Sequence, residues 1–558
     1  MGLANMINRK STGLKEAPLF HFNERRRDLV REVSARVYNT NLAKSRTHNR
    51  ALEYVLNETA IQEIERLKRE RGLEVEVRDI SWWRGMARRL GTMPESEKRS
   101  ILRELIDSYV DDTAGKFNPN VFSFATGALP IGFGLFFKTQ DLNSLGDAFL
   151  HMRSGMKNLR DLSERVVVEG HIDTMQHLVK KGTIVIVPTH SSNMDSILLG
   201  WALESVGLPP VTYGAGKNLF VNPLTRFFMY NLGAYKVDRR LRHQLYKDVL
   251  KNYSQVLSEW GFHSLFFPGG TRCRSNIIES KLKLGLLGTS VSAYTRNLQG
   301  GDDKRVYIVP ATINYNLVLE AESLIREHLK REGQSRYFLE NDQFDQLSMV
   351  AKFVLNTVGM KSTTVIRFGQ PMDPFGNKVE ADGESYDSHG RRLDPKTYVQ
   401  SIQSGEFVED AQRDRRYTRY TGSQISEAFK TNTVLQASSI VAFSIFETLA
   451  ARYPKVDVYE LLRFATNERI SFAELTPVLT HALEKLRRLA AGDKVRLSAL
   501  SSSLNKTLDD GIESLMSFHL PKILDPQGTG LFVNRLDLLY FYGNRVRSFK
   551  LGNVVEEK

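Results

Sequence analysis

From about Val166 onward, short apolar, β-branched runs alternate with longer stretches of helical periodicity, and no other feature restricts the fold so strongly. Residues 183–188 read Thr-Ile-Val-Ile-Val-Pro, apolar at successive positions rather than at every second one. A strand with that pattern is buried on both faces, as in a parallel sheet covered by helices. Similar runs recur at 210–213, 264–267, 305–310 and 363–368, with helical stretches at 239–260 and 277–296 between them. The alternation predicts an α/β domain, a mostly parallel sheet flanked by helices.

The flanks have a different texture. Between about 20 and 109, apolar residues recur at three- and four-residue spacing among many basic ones, as in Glu24-Arg25-Arg26-Arg27, which indicates amphipathic helices. Residues from about 375 to 415 are rich in Gly, Asp, Ser and Lys, and helical periodicity returns from about Ser423. A chain of 558 residues exceeds the usual size of one core. The expected division is therefore a basic helical N-terminal region (1–115), the α/β domain (116–375), a linker or loop (376–420) and a C-terminal helical region (421–558).

Lysine and arginine outnumber aspartate and glutamate by 77 to 64, a net charge of +13 that favours anionic partners: nucleic acid, phosphorylated metabolites or anionic lipid. No zinc-finger or RNP-type motif supports the first, so no nucleic-acid partner is expected, although a basic nucleic-acid-binding protein is the competing class. The single cysteine, Cys273, excludes an internal disulfide and a Cys-based zinc cluster, and no metal is expected. The first residues lack the pattern of a signal peptide and of a myristoylation site. Residues 117–137 carry no charge but are interrupted by Pro119, Gly127, Pro130, Gly132 and Gly134. A spanning helix needs roughly 20 predominantly apolar residues. An interfacial or half-inserted segment and a buried loop and strand are both open readings.

The first strand of that alternation runs into Pro188-Thr189-His190-Ser191-Ser192-Asn193-Met194-Asp195. An offset of five places His190 and Asp195 roughly 140° apart on a helix, so they meet only across a turn. Loops beyond the carboxyl ends of strands are where α/β proteins place ligands. An imidazole held there by a carboxylate can act as general base on a hydroxyl; the plainer alternative is a helix cap. No Gly-x-Ser-x-Gly elbow accompanies Ser191 and Ser192.

Three further segments follow in order: Gly233-Ala234-Tyr235-Lys236-Val237-Asp238-Arg239-Arg240, then Phe266-Phe267-Pro268-Gly269-Gly270-Thr271-Arg272-Cys273-Arg274-Ser275, then Ile308-Val309-Pro310-Ala311-Thr312-Ile313. With His190 and Asp195 they resemble the four motifs of the glycerolipid acyltransferase family, which includes glycerol-3-phosphate and lysophosphatidate acyltransferases. The continuation Asn314-Tyr315-Asn316-Leu317-Val318-Leu319-Glu320 is more similar to the glycerol-3-phosphate branch, as are residues 424–449 and 536–546. The resemblance implies transfer of a fatty acyl group from acyl-CoA or acyl-carrier protein to the sn-1 hydroxyl of glycerol 3-phosphate, with no cofactor. It implies His190 and Asp195 as the catalytic pair and Arg239, Gly269, Gly270, Thr271, Arg272, Arg274 and a lysine, Lys281 or Lys283, as the acceptor site. Backbone N–H groups after the first strand are expected to hold the oxyanion. Association with an anionic membrane surface, on the cytoplasmic face, follows from the lipid substrates, and the oligomeric state is left open. A lysophosphatidate acyltransferase or an inactive membrane-binding relative are the alternatives. The third motif commonly carries glutamate where Gly269 stands, and no carboxylate lies within 266–275; acceptor recognition is where the resemblance implies a difference. Cys273 has no base beside it in sequence, which argues against an acyl-cysteine.

Overall fold

The computed structural model describes residues 16–47, 50–69, 78–123, 125, 166–220, 223–332, 364–464, 468–498, 503–517, 519 and 521–555. Its centre is a seven-stranded sheet of β1 (Val166–Gly170), β2 (Gly182–Pro188), β3 (Thr212–Gly216), β4 (Ala234–Val237), β5 (Ser264–Leu265), β6 (Arg305–Asn314) and β7 (Thr364–Phe368). The strand order is β1-β7-β6-β2-β5-β3-β4. β6, β2, β5, β3 and β4 run parallel, whereas β7 is antiparallel to β6 and carries β1 parallel to itself. Every residue of β2 is buried, and Ile186 pairs with Leu265 on β5 and with Val309 on β6. That two-sided burial is why the run has no alternation of apolar and polar residues.

The N-terminal region folds into the helices Phe22–Thr47, Ala51–Arg69, Ile80–Arg89 and Glu95–Thr113, with a core of their own. This core is completed by the helix Gln244–Glu259, whose Leu245, Val249, Tyr253 and Val256 are buried among the N-terminal side chains. Arg36 clamps Glu259 with two hydrogen bonds of 2.8 and 2.7 Å. Of the uncharged stretch 117–137, Phe117 and Phe122 pack with Phe20 in the same core, while 124 and 126–137 lie outside the described residues. Among the described residues, no helix is long and apolar enough to cross a membrane.

Three segments differ from their sequence reading. Residues 376–420, read as a linker, carry the three-stranded sheet of Lys378–Val379, Ser385–Tyr386 and Arg392–Leu393 and the start of the helix Ala411–Thr431. Their Asp and Gly residues close its turns: the Asp382 and Asp387 carboxylates accept backbone N–H groups, and Gly383 and Gly390 take positive φ. The C-terminal region is helical but also holds an antiparallel sheet of Glu468–Ser471, Gly530–Val533 and Leu524–Gln527, its hairpin turning at Gly528. Residues 277–296, read as one helix, are helical only from Gly288. Before it, backbone groups bond elsewhere than to the preceding turn: Ile278 N–H donates to Ser548 Oγ and Lys283 N–H to Pro268 O.

The C-terminal helix Ala437–Arg452 is buried along most of its length against Leu536–Arg547, and both share the apolar core of the large sheet. The region read as a separate C-terminal unit is thereby continuous with the α/β core.

Candidate active site

The carboxyl ends of β2, β4, β5 and β6 point to one side of the sheet, and each leads into one of the segments singled out by sequence. β2 ends at Pro188, and the chain turns through 189–194 before the helix Asp195–Ser205 begins. That turn brings His190 Nδ1 to 2.8 Å from Asp195 Oδ2. Asp195 is fully buried and heavily bonded: Ser191 N–H (2.6 Å) and Ser192 N–H (3.0 Å) also donate to Oδ2, and the Tyr315 hydroxyl donates to Oδ1 (2.6 Å). A carboxylate can only accept, so the His190 proton sits on Nδ1 and leaves Nε2 as the basic nitrogen of the neutral ring. The ring stacks on Phe267 at 4.0 Å between centroids and 23° between planes. Its orientation is thus set from one edge by Asp195 and from one face by the β5 loop.

Every backbone N–H from His190 to Met194 already has a partner inside the protein. His190 donates to Glu279 Oε2 (3.2 Å), Ser191 and Ser192 to Asp195, Asn193 to Glu320 Oε1 (3.0 Å) and Met194 to Ser192 Oγ (3.1 Å). The loop expected to offer its N–H groups to an oxyanion uses them to hold its own shape.

The motif after β5 is tied to the same loop, since Cys273 N–H donates to His190 O at 2.7 Å. Phe267 to Gly270 forms a turn closed by Gly270 N–H on Phe267 O (3.0 Å), with Gly270 at φ +71°. Arg272 pairs with Glu320 at 3.2 Å, and Glu320 also accepts from Ser192 Oγ. Arg274 pairs with Glu327 at 2.5 Å and donates to Thr271 Oγ1 at 3.0 Å. Arg239, just beyond β4, has no hydrogen bond or ion pair among the described residues. Desolvation, followed by repulsion from Arg272 and Arg274, pulls its pKa below the ordinary value. The three guanidiniums therefore sense one another, and the positive cluster lacks enough carboxylate to neutralise it. The Lys283 side chain lies against Gly270, whose added Cβ would stand 2.6 Å from Nζ. Lys281 is exposed and makes no hydrogen bond or ion pair among the described residues.

Residues distant in sequence complete the arrangement. Arg545, on the helix Leu536–Arg547, is buried and donates to Ser191 Oγ at 3.2 Å. Asn544 Nδ2 donates to Ser275 O, and Asn276 Nδ2 donates to Phe541 O. Burial pushes the Cys273 thiol up, and its Sγ sits 3.0 Å from Ile277 O, so it is a neutral donor rather than a nucleophilic thiolate. Tyr315, Glu320 and Arg545 all fall within segments noted for resemblance, but Glu279 does not. Among the described residues, no group of three or more His, Cys, Asp and Glu is placed to hold a metal ion.

Burial pushes the Glu279 carboxyl up to about 7 from an ordinary 4.5; the His190 N–H and Arg545 oppose this, and Asp195 reinforces it. A carboxyl raised on folding binds more protons folded than unfolded between those values, so its contribution to stability falls as pH rises through that window. The loss totals roughly 3–4 kcal/mol at about 1.4 kcal/mol per unit. Glu279→Gln keeps an acceptor for the His190 N–H but does not ionise. Melting temperatures are expected to show this variant gaining on the native protein from pH 5 to pH 8; a pH-independent difference would refute the burial account.

Residues 167–314 match the acyltransferase family profile. A glycerol-3-phosphate acyltransferase of Actinobacillus succinogenes is 31% identical over 159 residues, 28% of this chain and 19% of its own. That of Aeromonas hydrophila is 28% identical over 202 residues, 36% of this chain and 23% of its own. The chain thus spans about a fifth of the length of the curated relatives it matches. The crystal structure of a 1-acyl-sn-glycerophosphate acyltransferase from Thermotoga maritima aligns over 55% of this chain and 92% of its own, at 14% identity and a TM-score of 0.25.

Proposed function

We propose that this chain, whose residues 167–314 match the acyltransferase family profile and which is similar in part to glycerol-3-phosphate acyltransferases, transfers a fatty acyl group from a thioester donor to the sn-1 hydroxyl of glycerol 3-phosphate. The observation that carries the reading is the partly buried His190 held by the buried Asp195 after β2, near a cluster of arginines in the loops after β4 and β5. The acceptor phosphate docks on Arg239, Arg272 and Arg274, whose planar donors suit a dianion. This sets the free hydroxyl at Nε2 of His190. His190 Nε2 takes the hydroxyl proton as the oxygen attacks the thioester carbonyl, and Asp195 stabilises the imidazolium. Collapse of the tetrahedral adduct forms the ester and breaks the C–S bond. The leaving thiolate takes its proton from His190, which returns to the neutral form. No residue of the chain becomes acylated, in keeping with the neutral Cys273 thiol.

The long acyl chain of the donor and product, together with the net charge of +13, supports work at an anionic membrane surface. The deciding assay is transfer from radiolabelled palmitoyl-CoA, or from palmitoyl-acyl-carrier protein, to glycerol 3-phosphate and to lysophosphatidate in parallel. Turnover confined to glycerol 3-phosphate is expected; turnover confined to lysophosphatidate would replace the acceptor assigned here. No turnover with either acceptor and either donor would leave a non-catalytic relative.

Arg239 offers the cleanest probe of the phosphate site, because its removal orphans no carboxylate. Arg239→Ala is expected to raise KM for glycerol 3-phosphate about tenfold or more, as for loss of a hydrogen bond between charged groups. KM for palmitoyl-CoA and the melting temperature should hardly move. An unchanged acceptor KM would remove Arg239 from the site.

A further inference from the structure

We propose that Glu279 is the carboxylate that binds and orients the acyl acceptor, delivered from outside the motif into the space left open at Gly269. The inference deepens the acyltransferase reading and rests on it. Glu279 belongs to the irregular stretch before the helix Gly288–Gln299, anchored by Ile278 N–H on Ser548 Oγ and Lys283 N–H on Pro268 O. Its side chain lies against both the β2 and the β5 loops, at His190 N–H and at Gly269. One oxygen, Oε2, accepts the His190 N–H; the other, Oε1, accepts no hydrogen bond among the described residues.

Gly269 explains where Oε1 sits. A Cβ built on Gly269 would overlap Oε1 outright and stand 2.9 Å from Cδ of Glu279. The backbone of Gly269 lies outside the positive-φ region, unlike that of Gly270, so its conformation does not require glycine. What requires it is the carboxylate. Glycine at 269 and glutamate at 279 form one arrangement: the volume holds either a side chain from 269 or the carboxylate of 279, not both. The carboxyl expected at the start of the arginine motif is thus present in space while absent from that position in sequence.

The placement also states what this carboxylate can do. It adjoins the backbone of the general base and the turn that leads to Arg272 and Arg274, between the expected hydroxyl and phosphate ends of the acceptor. An unpaired carboxyl oxygen there is an acceptor for a polyol hydroxyl. Its burial costs stability at neutral pH, which a purely structural glutamine would avoid.

The test moves the carboxylate. Calorimetric titration with glycerol 3-phosphate and steady-state kinetics would be run on the full chain and on Glu279→Ala, Gly269→Glu and the double variant Gly269→Glu/Glu279→Ala, with melting curves for each. Glu279→Ala is expected to weaken glycerol 3-phosphate binding and raise its KM about tenfold or more, with KM for palmitoyl-CoA unchanged. Gly269→Glu alone, with two carboxylates in one volume, should bind worse than the native protein, and the double variant should regain most of what Glu279→Ala loses. The proposal is overturned if Glu279→Ala binds glycerol 3-phosphate normally, if both substrates' KM values rise together, or if the double variant is no better than Glu279→Ala. Native protein that binds glycerol 3-phosphate without turnover would defeat the catalytic reading while the titrations still decide the role of Glu279. Native protein that binds none would defeat both.

Discussion

His190→Ala is expected to lower acyl transfer by about a thousandfold or more, toward the upper end of what one acid–base group supplies. His190 serves twice in the proposed reaction, taking the hydroxyl proton and then giving it to the departing thiolate, and neither Cys273 nor Asp195 can take over. Cys273 is held as a neutral thiol, and Asp195 is enclosed by four donors. The fold should tolerate the change. Without the imidazole, Asp195 still accepts from Ser191, Ser192 and Tyr315, so the loop keeps its anchor. The pair of measurements is the initial rate of radiolabelled transfer and the melting temperature. A rate within tenfold of the native one would exclude His190 as the base. A collapsed melting temperature would make it structural instead.

The meeting of His190 and Asp195 was legible because it is local: the two lie within one turn of chain, and the buried strand that delivers them has an unmistakable two-sided apolar pattern. The arginines were legible from short segments too: Arg239 stands just past β4, and Arg272 and Arg274 follow the Gly269-Gly270 turn in the loop after β5. The sheet order was not legible, since β7 pairs antiparallel with β6 through residues far apart in sequence. The groups that support the pair were hidden similarly. Tyr315 is 120 residues from Asp195, and Arg545 is 354 from Ser191. Glu279 was hidden twice: it stands outside the motif, and its stretch carries enough apolar spacing to read as helix although its N–H groups bond to Pro268 and Ser548. The oxyanion expectation missed for a related reason. Periodicity shows where N–H groups stand but not whether side chains such as Glu320 already occupy them.

Arg545→Met should produce the largest loss of stability of any single change near the site. Arg545 is a buried cation whose charge is sustained, against desolvation, by the carboxyls of Glu279 and Asp195. Removing one partner of a buried charge group typically costs about 3–5 kcal/mol, because the remaining charge stays buried without compensation. The melting temperature is expected to fall on the order of 5 °C or more. The two carboxyls left behind differ in how they can respond. Asp195 is fixed as an acceptor by its four donors, whereas Glu279 can take up a proton, and without Arg545 it holds that proton to higher pH. A carboxyl raised further on folding loses still more of its contribution as pH rises, so the deficit of Arg545→Met should be larger at pH 8 than at pH 5. Adding Glu279→Gln should recover part of the deficit at pH 8 and little at pH 5, a coupling expected only of groups that share one field. A pH-independent deficit that Glu279→Gln does not touch would mean that Arg545 acts through packing alone. The expected pattern would instead show that the C-terminal helix, through one guanidinium, sets the charge state of the Glu279 carboxyl that accepts His190's own backbone N–H.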